Sequence, residues 1–203
     1  WGDTDRFIET YFGKYAKKDS RDWRDWPYIT GDGGTKSPDG YLRVVGRVDD
    51  VINVAGHRLG TKELESAAIT VKEISEAAAV PAYDELKGRV PEMFVSLKPG
   101  FTASDEIESK VKRAISEIIG PIARPTHVWV ASDLPKTRSG KIMRRVIASI
   151  SNFIDVGDTT TLSNPEVVEE IRKDVQATKV KSGEVPKGVP KEVVEEIRRF
   201  GEE

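Results

Sequence analysis

Three short stretches of this sequence hold residues whose types and spacing could do chemistry. In Tyr28-Ile29-Thr30-Gly31-Asp32-Gly33-Gly34 a carboxylate sits among glycines. Its two oxygens can take the paired hydroxyls of a ribose while the glycines leave a ligand room. The plain alternative is a Gly-Asp turn in which Asp32 accepts backbone N–H bonds. In the stretch from Gly46-Arg47-Val48-Asp49-Asp50 to Gly56-His57-Arg58, Arg47 and Arg58 offer forked donors for hydroxyl or phosphate oxygens. Asp49 and Asp50 stand beside them as ready ion-pair partners. Adjacent strand residues point to opposite faces, so these two acids suit a switch or cap role better than shared acid/base work. The third stretch is Leu134-Pro135-Lys136-Thr137-Arg138-Ser139-Gly140-Lys141-Ile142-Met143-Arg144-Arg145. It fails as a Walker-type phosphate loop, which needs Gly in place of Pro135 and Ser or Thr in place of Ile142. What remains is a flexible loop ending in Gly140, with Lys141 at a helix start. An ammonium there can neutralise charge building on a phosphoryl group; the plain alternative is a solvated basic helix start.

The elements that must position these residues are legible in outline. Residues 1–46 mix aromatics with glycines and acids and read as short strands and loops. Ser37-Pro38-Asp39-Gly40 is a turn before a strand over 41–45. Residues 51–54 form a further strand, 56–60 a turn, and 61–70 a helix with Thr61 as its N-cap. Strands follow over 76–80, 93–97 and 127–131. Ser104 caps a helix bearing Ile107, Val111, Ala114, Ile115 and Ile118, which ends at Gly120-Pro121. Residues 141–150 read as a basic helix with an apolar face and 165–177 as another helix. A Lys/Gly/Pro-rich link over 179–190 leads to a last helix bearing Val193, Val194 and Ile197. The order predicts an α+β fold, a small antiparallel or mixed sheet flanked by helices and preceded by a β-rich segment. The expected divisions are 1–48, 49–150 and a two-helix tail over 151–203.

Composition narrows the function classes. The 203 residues carry 32 Lys+Arg against 34 Asp+Glu, a formal charge of −2, which argues against a strongly basic nucleic-acid binder. The basic run over 138–145 is short and lacks interleaved aromatics, so no nucleic-acid partner is expected. No apolar run approaches the ~18 residues a membrane span needs, so no membrane partner is expected and a cytoplasmic location is. With no cysteine, and with His57 and His127 as the two histidines, disulfide scaffolds, thiolate chemistry and His-rich metal sites are excluded. A chain that opens on Trp1-Gly2-Asp3 reads as a fragment or a processed product.

Taken in order and spacing, Thr30-Gly31-Asp32, Gly46-Arg47-Val48-Asp49-Asp50, Gly56-His57-Arg58-Leu59-Gly60-Thr61 with Glu63 and Glu65, and the 135–145 stretch closely resemble the AMP-forming acetyl-CoA synthetases of the adenylate-forming family. The likeness covers about residues 1–168 and runs on through Gly157-Asp158-Thr159-Thr160-Thr161-Leu162-Ser163-Asn164-Pro165. It implies that Asp32 and Arg47 hold the ribose of an acyl-adenylate and that Arg58 lies near the phosphate or CoA side. Asp49 matches the hinge between the large N-terminal and small C-terminal domains. Gly56 matches the small residue past which pantetheine threads, where a Cβ would intrude on a narrow channel. Lys141 matches the adenylation lysine, also a reversible acetylation target.

The same resemblance makes ATP/AMP and coenzyme A substrates. Magnesium is expected through the N-terminal domain missing from these residues. That domain is the first expected partner, with small-molecule substrates and a protein acetyltransferase or deacetylase beside it. The implied activity is that of an acid–thiol ligase on acetate, or on propionate or 3-hydroxypropionate, with the isolated chain unable to activate an acid. The rival reading is a noncatalytic interaction or regulatory module of the same fold. The sequence departs from the family at Val71-Lys72-Glu73-Ile74, where relatives often carry a His-Pro pair, and at the 87–92 link. It also has Ser116 where bacterial relatives carry a CoA-contacting arginine, leaving that task to Arg113, Arg124 or another cation.

Overall fold

Asp3 opens the first element. Its carboxylate accepts the backbone N–H of Arg6 at 2.9 Å and caps helix α1, Thr4–Tyr11. The sequence reading of 1–46 as strands and loops is corrected here. Phe7 and Tyr11 are four apart and share a helix face, and their rings meet at 5.4 Å. Phe12, Trp23 and Tyr28 close around them, with Phe12 and Trp23 centroids 4.9 Å apart. Aromatic spacing that suggested strands is thus the packed side of a helix. Two strands follow as expected, β1 (Asp32–Lys36) and β2 (Leu42–Arg47), antiparallel about the Ser37–Gly40 turn.

The computed structural model describes residues 2–16, 21–48 and 50–200. Contacts divide the chain into two compact units, 1–50 and 51–203.

The second unit begins with a hairpin of β3 (Val51–Val54) and β4 (His57–Gly60). The expected turn over 56–60 shrinks to Ala55 and Gly56, because Leu59 pairs with Ile52 and both are buried. Helix α2, Thr61–Ile69, takes its cap one residue earlier than expected. Gly60 holds the cap position, and Thr61 lies in the first turn with its hydroxyl buried and unpartnered. The centre is a three-stranded mixed sheet: β5 (Ile74–Asp84) antiparallel to β6 (Gly88–Leu97), and β7 (Val128–Ala131) parallel to β6.

Alternation along these strands separates two cores. Ala77, Ala79, Met93 and Val95 join the β3–β4 hairpin, α2 and α3 (Asp105–Ile118). Ala78, Val80, Phe94 and Trp129 join α4 (Arg144–Ser151) and α5 (Glu166–Ser182). The sheet is covered on both faces, which is why its strands read as unbroken apolar runs rather than alternating ones. Ser104 caps α3 as expected, accepting from the N–H of Ile107.

Helix α5 runs five residues past its expected end, to a left-handed Gly183 at φ +77°. The reason is Lys179, which is buried rather than part of a solvated link. Its ammonium lies 2.7 Å from Glu92 Oε1 and donates to the Ser151 carbonyl at 2.8 Å. Glu92 in turn accepts from Trp129 Nε1 at 3.0 Å and from the Ser151 hydroxyl at 2.7 Å. A final helix, α6 (Lys191–Phe200), packs on α5 through Ile197.

Candidate functional site

Within the first unit, strand register brings two of the candidate residues together. Asp32 and Arg47 are direct partners across the β1–β2 pair. The Asp32 N–H donates to Thr30 Oγ1 at 3.1 Å, but its carboxylate accepts no hydrogen bond among the described residues. The turn reading, in which that carboxylate takes backbone N–H bonds, therefore does not describe it. Arg47 donates from Nη1 to the Thr30 carbonyl at 3.4 Å. Its guanidinium lies over Gly31, where an added Cβ would come within 2.7 Å of Nη2. Gly31 also holds φ +79°, so two separate constraints ask for glycine. The result is an exposed carboxylate beside a guanidinium fixed from behind. Asp49 lies outside the described residues.

In the second unit, Ala55 and Gly56 form a two-residue turn with φ +47° and +88°. Gly56 is exposed, and a Cβ built there meets nothing within 4 Å. Among the described residues of this unit nothing forms a channel wall at that point, and the turn's backbone is sufficient to ask for the glycine. Arg58 faces outward opposite Asn53, exposed and without an ion pair among the described residues.

Lys141 is exposed, and its ammonium has no hydrogen-bond or ion-pair partner among the described residues. The expected helix over 141–150 begins instead at Arg144. Ile142 bridges to Lys136, and Met143 donates its N–H to the Pro135 carbonyl at 2.8 Å, which draws 141–143 out of the helix. Lys141 thus stands at the foot of a tight hairpin. Its N–H donates to Thr137 Oγ1 at 3.1 Å and its carbonyl accepts from the Thr137 N–H at 2.9 Å.

Both ends of this loop are clamped by residues that the sequence reading did not single out. At one end Lys136 Nζ lies 2.6 Å from Asp133 and 2.7 Å from Glu76. Asn164 accepts from the Lys136 N–H at 2.9 Å and donates to Asp133 Oδ2 and to the Leu134 carbonyl, each at 2.9 Å. At the other end Arg144 makes a two-pronged bond to Glu65, with Nη2–Oε2 at 2.7 Å. Glu65 was noted only for its place in the motif. Asn164 lies 28 residues from Lys136 and left no spacing signal. Glu92 did leave one, an acid inside the apolar run of β6, which demands a buried partner.

The two candidate features of this unit pack against opposite faces of the sheet. The β3–β4 hairpin belongs with Ile52, Val54 and Leu59 to one core. The Lys141 loop belongs, through Leu134, Ile142 and Met143, to the other. Ser116, the departure noted above, turns its hydroxyl onto its own helix and donates to the Lys112 carbonyl at 2.9 Å. Among the described residues no group of three or more His, Asp or Glu side chains could hold a metal ion.

Residues 63–141 match the family model described as "AMP-binding enzyme C-terminal domain". Over 177 residues, 87% of this chain, the sequence is 44% identical to the acetyl-coenzyme A synthetase of Gemmatimonas aurantiaca. It is 46% identical over 179 residues to that of Syntrophobacter fumaroxidans, again 87% of this chain, and 42% identical over 88% to that of Pyrobaculum arsenaticum. The chain spans about a quarter of the length of these relatives, 26%, 26% and 25%. Among solved structures it resembles the anthranilate CoA ligase AuaEII in complex with anthranoyl-AMP, with a TM-score of 0.57 and 30% identity, over 61% of this chain and 24% of that one. An ATP-bound RpMatB-BxBclM chimera shares the fold, with a TM-score of 0.61 at 24% identity, over 73% of this chain and 27% of that one.

Proposed function

We propose that the chain, which matches the AMP-binding enzyme C-terminal domain and is 44% identical to an acetyl-CoA synthetase over 87% of its length, is the C-terminal part of an AMP-forming acetyl-CoA synthetase and serves the two half-reactions of such a ligase in turn. In the first, the carboxylate of acetate, or of propionate or 3-hydroxypropionate, attacks the α-phosphorus of ATP and pyrophosphate leaves. Lys141 neutralises the negative charge gathering on the phosphoryl group. In the second, the thiol of coenzyme A attacks the acyl carbonyl, AMP leaves, and the thiol arrives past Gly56. Asp32 and Arg47 hold the ribose hydroxyls of the adenylate, and Arg58 lies toward the phosphate or CoA. A rotation about Asp49 exchanges Lys141 for the Gly56 turn.

The observation that carries this reading is the disposition of the two features on either side of one sheet, both exposed. An ammonium held on a clamped loop and left without a partner suits transient use on a substrate. The same accessibility suits acetylation by a protein acetyltransferase, which would remove the charge the first step needs. Residues 1–50 then complete an N-terminal portion supplied from outside this chain. That portion also brings the magnesium ligands. A cytoplasmic setting fits these substrates, and no helix among the described residues is long and apolar enough to cross a membrane.

The test recombines the chain with the N-terminal portion of a relative. Pyrophosphate release from acetate and ATP reads the first step, and thioester formation from supplied acetyl-AMP reads the second. Lys141→Ala should lower the first by about 10²–10³-fold and leave the second near its original rate. Equal loss of both rejects the assignment. The chain alone should form no acyl-AMP; robust formation by the chain alone contradicts the reading.

A further inference from the structure

On the Gly56 side of the sheet lies a groove of about 430 Å³ whose lining includes three cations and no carboxylate. Lys87 comes from the β5–β6 turn, Lys112 from the middle of α3, and Arg124 from just after the short 3-10 turn Pro121–Ala123. Lys87 and Arg124 have no ion-pair partner among the described residues. Lys112 has only Glu108, one turn back at 4.0 Å and outside the groove. Several cations at other clefts are answered by an acid. Lys187 lies 2.6 Å from Glu85, Lys110 lies 2.9 Å from Glu73, and Arg113 stands 3.9 Å from Glu117. Three positive side chains left facing one concavity repel each other unless an anion joins them.

The groove also reaches Val54, the residue just before the Ala55–Gly56 turn. A ligand with phosphates in the groove can therefore extend toward that turn. We infer that Lys87, Lys112 and Arg124 bind the phosphates of coenzyme A, an inference that rests on the reading of Gly56 given above. It resolves the gap left by Ser116, whose hydroxyl is spent on its own helix. Lys112 lies one turn before Ser116 on α3, and of the two arginines considered from the sequence it is Arg124, not Arg113, that lines this groove.

The test is calorimetric titration of the 203-residue chain with coenzyme A, 3′-dephospho-coenzyme A, pantetheine and inorganic pyrophosphate. Coenzyme A should bind more tightly than pantetheine, and less so as salt rises. Lys87→Ala/Arg124→Ala should weaken coenzyme A by about tenfold and leave pantetheine unchanged, while Arg172→Ala, on α5, changes neither. All three substituted side chains are exposed, so circular dichroism should report an unaltered fold. Coenzyme A bound equally well by the double variant overturns the groove while leaving the two-step ligase intact. Pyrophosphate bound through these cations with no binding of coenzyme A overturns the ligand. No binding of either by the unmutated chain overturns the site. The activity test on recombined domains does not depend on any of these, so the two readings fail separately.

Discussion

Among the described residues Ala55 and Phe153 are the two non-glycine residues at positive φ, and Ala55 stands in the candidate site. It holds φ +47° in a two-residue hairpin turn whose second residue, Gly56, is at φ +88°. Positive φ at both positions favours Asn followed by Gly, and an alanine there costs about 1–2 kcal/mol. Ala55→Asn is expected to raise the unfolding free energy by about 0.5–1 kcal/mol in urea denaturation. Gly56→Ala should lower it by about 1 kcal/mol, from backbone strain alone, since its Cβ would stand in open space. A far larger loss in the thioester half-reaction than in stability would then locate the crowding outside this chain. The sequence identified Gly56 but stretched the turn to Gly60, because two glycines four positions apart look like the ends of one loop. What it missed is that Leu59 takes the inward position opposite Ile52 and so extends the strand.

At the scale of elements, the loop over 133–143 shows what a clamp of charges and amides does. Burial pushes the Asp133 carboxyl up, but the Lys136 ammonium, the Leu134 N–H and Asn164 outweigh it and hold it below its ordinary 3.8. Burial pushes the Lys136 ammonium down, and Asp133 and Glu76 outweigh that, leaving it above its ordinary 10.5. A depressed acid stabilises the loop above pH 3.8, and that contribution fades as pH falls through the lowered value. A raised ammonium stabilises it below pH 10.5, and that contribution fades as pH rises through the raised value. Amide protection of Lys136 and Met143 should therefore be flat between about pH 4 and 10 once corrected for intrinsic exchange, and fall outside that window. Asn164→Ala removes the acceptor of the Lys136 N–H, and exchange there should quicken by about tenfold or more. Unchanged exchange would show that the ion pairs alone hold the loop. The loop itself was legible from Pro135 and Gly140. Its clamps were not, because Asn164, Glu76 and Glu65 reach it across the fold and not along the chain.

Across the whole molecule, burial is divided very unevenly. Among the described residues, every buried side chain lies beyond residue 50. The second unit is sealed on both faces of its sheet, and α5 closes it with the Lys179–Glu92 pair, 3% and 2% exposed. Removing one partner strands a buried charge, so Lys179→Ala should cost about 3–5 kcal/mol, whereas Glu92→Gln with Lys179→Met should cost far less. From the sequence that helix ends near 177 and Lys179 falls in the link after it, since a lysine there looks solvated until its partner on β6 is known. The first unit has the opposite character. Tyr41, Leu42 and Val44 are 76%, 80% and 74% exposed on strands that ought to cover something, and its aromatic cluster is open on its outer side. Ordering a backbone residue costs about 1–2 kcal/mol, and surface left in water returns little of it. In this chain alone, amides over 2–16 and 21–48 should therefore exchange with little protection, and trypsin should cut at Arg43 and Arg47 well before any site in 51–197. Adding the N-terminal portion of a relative should protect those same amides. Equal protection of both units in the isolated chain would mean that residues 1–50 need no covering surface, and the assignment of this unit to the edge of a larger domain would fail with it.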